Sequence, residues 1–416
     1  MFPLCMEKYN ILILCGRYAS PKYANSICCQ NLSEYLVSQG HKVHVLARGY
    51  EYSYEKEELN GVQIIKIYGD KYGEILNRYN NKTGTGAITF HLYQLWHRLY
   101  SFIFYPEPSY GDSRKIFKIA QEIVDNNKIN ILVAMYRPYE CVKAALLLKK
   151  RNENRLKVVT YHLDLLSESV TKYSLLRKYI NKKVFQAFSY ELSEVDKILL
   201  PLSAPRFESN KIDYVDFPLY IPNHFVKNSD RKESYFSDET INISILGSLD
   251  ANNRKIDYIC SIIDELPCIV GKSVTLNIWG NLTGISVRRF RKTSYWGMAE
   301  IQEVPNILQQ SDFLLNVGNR ITSNMIPSKI FQMFAAKKPI IFCVSSTSDK
   351  SIPYFERYGH TCFVEEFNQD INCDVRKVKL FIEHYYQMKI EVDDRLFEKS
   401  TPQYICDRIM RDLYPL

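Results

Sequence analysis

The sequence predicts an α/β fold with two doubly wound sheets, each made mainly of parallel strands. Short apolar runs alternate with helical segments along the chain, and the alternation begins again after residue 222. Strands and helices in alternation are typical of a parallel sheet covered by helices on both faces. The length of 416 residues also exceeds one ordinary domain and suits two domains of about 200 residues each. A chain that is 46% hydrophobic and 24% charged is typical of a globular protein with large cores.

The first half begins with residues 10–15 (NILILC), a continuous apolar run that predicts a parallel strand buried on both faces. A helix is predicted next over 25–39, and Gly40 stands where a left-handed residue ends many helices. Further strands are predicted at 42–47, 62–67, 129–134 and 157–161, and further helices at 112–127 and 139–150. Together these elements predict a Rossmann-like domain over residues 1–225.

The second half follows a polar stretch at 228–240, which predicts the linker between the domains. Strands are predicted at 241–246, 274–279, 312–317 and 339–343, and helices at 255–266 and 328–336. These elements predict a second Rossmann-like domain over residues 226–400. Thr401 and Pro402 suit the N-cap and first turn of a terminal helix over 401–416. We expect this helix to return toward the N-terminal domain.

The charge and cysteine content restrict the partners and the compartment. A net charge of +8 favours anionic partners, which include nucleotide diphosphates, phospholipid headgroups and nucleic acid. Nucleic acid is the weakest of the three, because there is no zinc-finger spacing, arginine-rich tract or recognition-helix signature. The 11 cysteines include no C-x-x-C pair and the N-terminus lacks a signal-peptide pattern, so we expect reduced thiols and a cytoplasmic protein. No apolar run approaches the roughly 18 residues of a transmembrane helix.

One segment is more specific than this general pattern: residues 316–341, NVGNRITSNMIPSKIFQMFAAKKPII. It resembles the donor-binding signature of GT-B-fold glycosyltransferases, in particular family 4, where two spaced glutamates precede small residues and a proline. In this chain Asn324 and Gln332 occupy the acidic positions, and Pro339 is the proline. The resemblance extends in outline over most of the chain. It implies that two Rossmann-like domains face each other across a cleft, bind a nucleotide-diphosphate sugar, and transfer its sugar to an acceptor with retention of configuration.

This segment also predicts contacts with the donor. Ser328 and Lys329 lie at the start of a predicted helix, where amide groups and the helix dipole favour a phosphate. Lys329 adds a mobile positive charge, although a solvated lysine at a helix terminus is the alternative. The resemblance implies that Gln332 contacts the ribose and that Asn324 contacts the hydroxyls of the donor sugar. Because both positions hold amides here, the identity of the transferred sugar stays open.

Arg254 and three glycines complete the predicted donor site. The resemblance implies that an arginine and a lysine near position 254 hold the diphosphate, and an arginine fork suits phosphate oxygens. Lys255 follows Arg254 directly, which leaves open which of the two points inward. Gly16, Gly247 and Gly318 follow predicted strands, where a missing side chain lets the backbone approach a ligand. For Gly16 and Gly247 a simple tight turn is the alternative.

Two residues in the N-terminal half are candidates for catalysis. His162 follows a predicted strand at its carboxyl end, where the resemblance implies contact with the donor sugar or the acceptor, and a structural histidine is the alternative. Asp164 is the nearest carboxylate and would act as general base if the reaction inverted configuration. The sequence has no D-x-D motif and no metal-ligand spacing, so we expect neither a metal nor a separate cofactor. Positive residues would then stabilise the leaving nucleotide diphosphate.

The acceptor side is less defined. Residues 172–183 (KYSLLRKYINKK) are basic and amphipathic, which fits either a helix lying on an anionic membrane or an ordinary surface helix. Residues 91–105 (HLYQLWHRLYSFIFY) are aromatic and would line an acceptor groove or hold a carrier lipid. The expected acceptor is a saccharide, free or lipid-linked, in the synthesis of a surface polysaccharide.

Two other functions stay open. A nucleotide-sugar epimerase shares the two-domain shape, although its acidic and histidine cluster is not visible in the sequence. A catalytically silent relative would bind a nucleotide-sugar or a partner transferase. The amides at Asn324 and Gln332 favour it, as does the lack of the expected glycine pair in the first loop, where residues 24–26 are ANS.

Overall fold

The computed structural model describes residues 8–19, 24–49, 54–68, 75, 78–79, 86–107, 111–163, 177–221, 234–300, 302–321, 326–411 and 413. Two of the predicted site residues, Asp164 and Asn324, lie outside these ranges. The chain divides into two compact units. The first comprises Met1–Pro218 with Lys399–Leu416, and the second comprises Leu219–Glu398. The stretch predicted as a linker at 228–240 falls within the second unit, and its residues 228–233 lie outside the described part.

The first unit is built on an eight-stranded sheet with the order β3-β4-β2-β1-β5-β6-β7-β8. Its strands are β1 (Asn10–Cys15), β2 (Lys42–Gly49), β3 (Glu55–Leu59), β4 (Val62–Tyr68), β5 (Ile131–Tyr136), β6 (Lys157–His162), β7 (Lys197–Pro201) and β8 (Ile212–Val215). Neighbouring strands are parallel except β3 and β4, which pair antiparallel. Strand β1 has β2 on one side and β5 on the other, so the order reverses there.

Helices cover this sheet and connect its strands. They are α1 (Ala24–Ser38), α2 (Ala87–Ile103), α3 (Asp112–Asn127), α4 (Tyr139–Asn152) and α5 (Arg177–Glu194). The core joins strand residues such as Leu12 and Leu132 to Ile116 of α3 and Leu148 of α4. Strand β5 is buried over its whole length, as expected for a central strand covered on both faces.

The second unit contains a six-stranded, entirely parallel sheet with the order β13-β11-β9-β14-β15-β16, and a small parallel pair of β10 and β12. Its strands are β9 (Thr240–Leu246), β10 (Leu249–Asp250), β11 (Ser273–Trp279), β12 (Leu282–Thr283), β13 (Thr293–Gly297), β14 (Phe313–Val317), β15 (Ile340–Val344) and β16 (Thr361–Glu365). Its helices are α6 (Asp257–Glu265), α7 (Val304–Gln310), α8 (Ile330–Ala335), α9 (Ile352–Tyr358) and α10 (Ile371–Tyr385). The strand order reverses at β9, between β11 and β14.

The terminal helix α11 (Pro402–Met410) belongs to the first unit and packs against α1. The Thr401 side chain caps it by accepting a hydrogen bond from the Tyr404 amide at 3.1 Å. The buried ammonium of Lys197 on β7 donates to the Arg408 carbonyl at 2.7 Å. The expectation that the terminal helix returns to the N-terminal part of the chain is therefore confirmed.

The predicted fold class is confirmed, because both units are parallel sheets covered by helices. None of the four edge strands of the two large sheets was predicted, and two of them, β3 and β13, were missed for the same reason. Strand β3 (EKEEL) is charged and exposed, and β13 (TSYWG) is exposed over most of its length, so neither shows an apolar run. Within the described ranges every cysteine is a free thiol. None of the helices there is both long and apolar enough to span a bilayer.

Candidate functional site

Two glycines bring the ends of β9 and β11 together at the strand reversal of the second unit. Gly247 follows β9 with φ of 140°, and its amide donates to the Trp279 carbonyl at 2.8 Å. Gly280 follows β11, and a Cβ added to it would lie 1.9 Å from the Gly247 carbonyl oxygen. Only glycine allows this approach. The open end of a doubly wound sheet beside such a reversal is where ligands of this architecture bind.

Arg254 is held at this same end of the sheet. Its Nε donates to the carbonyl of Val317, the last residue of β14, at 3.1 Å, and its Nη1 donates to the Ser248 carbonyl at 3.3 Å. Burial lowers the pKa of the guanidinium, while the charges of Asp349 and Asp250 act in the opposite direction. The guanidinium remains charged in any case. The structure therefore answers the question that the sequence left open for Arg254: its side chain turns toward the strand ends.

Lys329 brings a second cation to Gly247. A Cβ added to Gly247 would lie 3.3 Å from Lys329 Nζ and 3.7 Å from Arg254 Nη1. Desolvation, followed by repulsion from Arg254, lowers the pKa of Lys329 from 10.5 to about 8. Lys329 is nevertheless exposed to solvent. The desolvation therefore comes from neighbouring protein atoms that surround the side chain without enclosing it completely. Within the described part of the chain no carboxylate pairs with Lys329.

The loop after β14 is tied to Asp349, which the sequence analysis did not identify. Its Oδ1 accepts hydrogen bonds from the Ser351 amide at 2.8 Å and the Ser351 hydroxyl at 2.6 Å, and its Oδ2 accepts from the Asn319 amide at 3.2 Å. A Cβ added to Gly318 would lie 2.8 Å from Oδ2. The absence of a side chain at Gly318 therefore admits a buried carboxylate, and the predicted ligand contact of Gly318 stays a prediction. The D-x-S pattern at 349–351, which often forms a turn, was the available signal.

Asn253 holds the next part of the same loop and was also missed. Its carbonyl accepts from the Arg320 amide at 2.9 Å, and its Oδ1 accepts from the Ile321 amide at 2.8 Å. These bonds fix the chain immediately before residues 322–325, which lie outside the described part and include Asn324. The predicted role of Asn324 therefore stays a prediction.

Helix α8 differs from its prediction in length and start. It spans only six residues and begins at Ile330, with Lys329 as its N-cap. The amides of Ile330 and Phe331 already donate to the carbonyls of Pro327 and Ser328, at 3.1 and 3.4 Å. The predicted helix over 328–336 is therefore shorter and starts later than expected, and a contact of its first amides with phosphate stays a prediction. Gln332 is partly buried and lies three residues after Lys329, on the same face of this turn.

His162 is buried inside the first unit. Its Nε2 lies 2.7 Å from Glu191 Oε1, and the two side chains are 2% and 0% exposed. Its ring also stacks on Tyr136, with centroids 5.1 Å apart, and meets the edge of Phe188. A histidine enclosed in this way positions helix α5 against the end of β6, so the structure supports the structural alternative for His162 over contact with a substrate.

Gly16 is also explained by packing. A Cβ added to it would lie 2.7 Å from Pro138 Cδ and 3.0 Å from the Arg137 carbonyl oxygen. These residues follow β5, which is the neighbour of β1 at the strand reversal. The absence of a side chain at Gly16 lets two strand ends pass each other closely, which favours a packing role; the predicted ligand contact stays a prediction.

The carboxyl edge of the first sheet carries buried charges that the sequence analysis missed. Arg48, near the end of β2, pairs with Asp112, the first residue of α3, at 2.5 Å. Glu140, near the start of α4, is fully buried. Buried charges require partners, so these groups fix the arrangement of the strand ends. Their positions in the sequence could have indicated this role, because each lies near the end of a strand or the start of a helix at this edge.

Comparison with known proteins identifies the fold. No protein-family model and no curated protein sequence matches the chain. Among solved structures, OtsA, a trehalose-6-phosphate synthase, is similar over 98% of this chain and 99% of its own, with 10% identity and a TM-score of 0.56. The chain has the GT-B fold.

Two further structures agree with this fold. The UDP-GlcNAc 2-epimerase from Methanocaldococcus jannaschii is similar over 96% of this chain and 99% of its own, with 11% identity and a TM-score of 0.54. WaaG, a glycosyltransferase involved in lipopolysaccharide biosynthesis, covers 96% of this chain and 99% of its own, with 11% identity and a TM-score of 0.50. At such identities the likeness establishes the fold alone, and membership of family 4 stays a prediction.

Proposed function

We propose that this chain is a glycosyltransferase that moves a sugar from a nucleotide-diphosphate donor to a saccharide acceptor. One observation carries the proposal: Arg254 and Lys329 converge on Gly247 at the strand reversal of the second unit. Two neighbouring cations repel each other and are costly to keep together without an anion. A diphosphate would supply the negative charge that offsets the repulsion between the two cations.

The chemistry assigned to these cations follows from where charge develops. In sugar transfer the bond between the anomeric carbon and the diphosphate oxygen breaks, and the electron pair stays on the diphosphate. The acceptor hydroxyl forms the new bond to carbon, and its proton leaves to the diphosphate. Fixed positive groups beside the leaving oxygens lower the barrier by stabilising that charge. The side chains of Arg254 and Lys329 supply these positive groups, which is the basis for proposing a metal-independent reaction. Retention of configuration rests on the resemblance to family 4.

The remaining donor contacts are assigned around this pair. Gly247 lets the diphosphate approach the backbone, Gln332 binds the ribose, and Ser328 lies next to Lys329 where its hydroxyl reaches a phosphate oxygen. Selection of the sugar by Asn324, and a base role for Asp164, are proposed from the sequence alone. Among the described residues no group of three or more histidine, cysteine or carboxylate side chains is arranged to hold a metal ion.

We assign the acceptor to the first unit, at the carboxyl edge of its sheet, where α/β folds bind ligands. A lipid-linked saccharide at the inner face of the cell membrane is the acceptor we favour. The similarity to WaaG, described as a transferase of lipopolysaccharide biosynthesis, supports this choice. The protein would then work in the cytoplasm, in the assembly of a surface polysaccharide.

A ligand panel tests the donor site. UDP, GDP, ADP and dTDP are added separately to the protein, and the unfolding temperature is followed, because a ligand that binds the folded state raises it. We expect one nucleotide to give a clear shift, and the shift to disappear in Arg254→Met and Lys329→Met. Lys255→Met is the matched control, since Lys255 is the adjacent cation. No shift with any nucleotide, or an equal loss in the control, would contradict the proposal.

A product assay separates transfer from the other functions. The matching nucleotide-sugar is incubated with the protein, and NMR follows release of the free nucleotide. Slow release supports a transferase. Because one similar structure is an epimerase, the donor sugar is also checked for conversion to its epimer. Such conversion would indicate an epimerase and contradict the proposed transfer. If every nucleotide-sugar that carries the matching nucleotide binds but undergoes neither reaction, the protein would instead be the catalytically silent relative.

A further inference from the structure

Helix α2 exposes a continuous apolar face. Six large side chains along one side of the helix are more than half exposed: Ile88 79%, Leu92 64%, Leu95 57%, Trp96 51%, Leu99 56% and Ile103 52%. Phe104, directly after the helix, is 51% exposed. Residues of this size at helical spacing normally pack on a core. A contiguous exposed patch of this kind marks a surface that binds another apolar surface.

The charge around this face has one sign. Residues 86–106 contain no aspartate or glutamate, and the first half of the neighbouring helix α5 is basic, with no acidic residue before Glu191. The exposed lysines of this half are Lys178 and Lys182. The two helices are in contact, because the rings of Phe102 and Tyr179 lie 5.5 Å apart and Lys183 Nζ donates to the Ile103 carbonyl. The apolar face of α2 therefore adjoins the basic half of α5, and we call the two together the α2–α5 face.

The position of α2 in the fold connects this face to the acceptor edge. Helix α2 lies between β4 and α3 in the sequence, so it belongs to the connection that leaves the carboxyl edge of the sheet. Just beyond its end, Glu107 bonds to Lys143 on α4 and to Ser113 on α3. Helix α4 follows β5, and α3 and α4 both begin at the carboxyl edge of the sheet. The end of α2 is therefore anchored at this edge.

We infer that the α2–α5 face docks on the surface of an anionic lipid bilayer. Leucine, isoleucine and tryptophan on one face, joined to lysines, are the features of helices that lie in the membrane interface. Lysines near a bilayer gain energy from anionic headgroups, and that contribution is absent with neutral lipid. A second copy of this chain is a poorer occupant, because a symmetric contact would bring the same lysines of both copies together. The helix does not cross the bilayer; its 17 residues lie along the surface.

Docking in this way deepens the proposed function by bringing the acceptor edge to the lipid surface, and that link rests on the acceptor being lipid-linked. The docking itself is independent of the donor site in the second unit. The two ideas therefore fail separately: vesicle binding tests the face, and the nucleotide-induced shift in unfolding temperature tests the donor site.

Sedimentation with vesicles tests the inference. The full chain is mixed with vesicles of phosphatidylcholine alone, or of phosphatidylcholine with about 30% phosphatidylglycerol, at physiological salt. We expect clear binding to the anionic vesicles and much weaker binding to the neutral ones. The double variant Leu92→Glu, Trp96→Glu should lose binding by about tenfold or more, because charge is unfavourable in the apolar layer. The double variant Lys178→Glu, Lys182→Glu should reduce binding to anionic vesicles to the level seen with neutral ones.

The control is Leu380→Glu, an exposed leucine on α10 that is 55% exposed and lies in the second unit. It should bind vesicles like the unchanged protein, and all variants should keep the nucleotide-induced thermal shift. Absence of binding to anionic vesicles, or binding unchanged in the Leu92→Glu, Trp96→Glu variant, would overturn the inference. So would a dimer in light scattering that this variant dissociates, because the face would then be occupied by a second copy.

Discussion

The pKa of Lys329 predicts that the proposed affinity for a nucleotide diphosphate depends on pH in a range where an ordinary lysine does not titrate. Desolvation and the charge of Arg254 lower this pKa from 10.5 to about 8 in the unliganded protein. A bound diphosphate favours the charged form and raises the pKa again. We therefore expect the affinity to be nearly complete at pH 7 and below, and to be lost as the pH rises through 8 toward the pKa of the complex.

The expected size of the effect follows from the protonated fraction. With a pKa of about 8, the ammonium form falls from about 0.9 at pH 7 to about 0.1 at pH 9, which predicts a decrease in affinity of about tenfold. A lysine with the ordinary value would lose only about 3% of its charge by pH 9 and would change the affinity by a negligible amount. Isothermal titration of the nucleotide that shifts the unfolding temperature, in steps between pH 7 and pH 9.5, measures this difference.

Lys329→Arg is the control variant, because a guanidinium keeps its charge throughout this range. Its affinity should be nearly independent of pH, and its profile also reports any ionisation of the nucleotide itself. A wild-type affinity that stays constant up to pH 9 would refute the reasoning. A decline of the same size in Lys329→Arg would refute it as well, because another group would then be responsible.

Three further predictions follow from single contacts. Gly280→Ala should prevent stable folding of the second unit, because its Cβ would meet the Gly247 carbonyl oxygen at 1.9 Å. The control is Gly271→Ala, where φ is 77° and an added Cβ meets open space; it should lower the free energy of unfolding, measured by chemical denaturation, by only about 1 kcal/mol, and equal losses in the two variants would contradict the prediction. Asp349→Ala should cost about 1–3 kcal/mol in the same measurement, because the amide of Asn319 and the amide and hydroxyl of Ser351 lose their acceptor, and it should also weaken nucleotide binding; a change in neither quantity would exclude a positioning role. His162→Ala should cost about 1–3 kcal/mol, because the buried Glu191 loses its hydrogen-bond partner, while nucleotide affinity of the folded protein stays the same. Loss of catalysis without loss of stability would restore a catalytic role to His162.

Local patterns in the sequence were sufficient for most of the elements. Strand β1 and helix α3 have the predicted bounds, and the cap at Thr401 forms as predicted. Apolar runs, helical periodicity and capping residues act over a few neighbouring positions, so they can be recognised without knowledge of the fold. The division into two α/β halves follows from the same alternation. Arg254 was predicted from the resemblance and Lys329 from its place at the start of a predicted helix, and their roles as donor contacts stay predictions.

Contacts between distant segments were decided only by the tertiary structure. Glu191 lies 29 residues from His162 and turns a candidate catalytic residue into part of a core. Gly16 meets Pro138, and Gly318 meets Asp349, so both glycines serve packing of the protein on itself. The sequence also shows that α2 is rich in apolar residues, but not that its apolar face stays exposed among the residues that the structure describes. These outcomes depend on which groups the folded chain brings within a few ångströms, and spacing along the sequence does not contain that information.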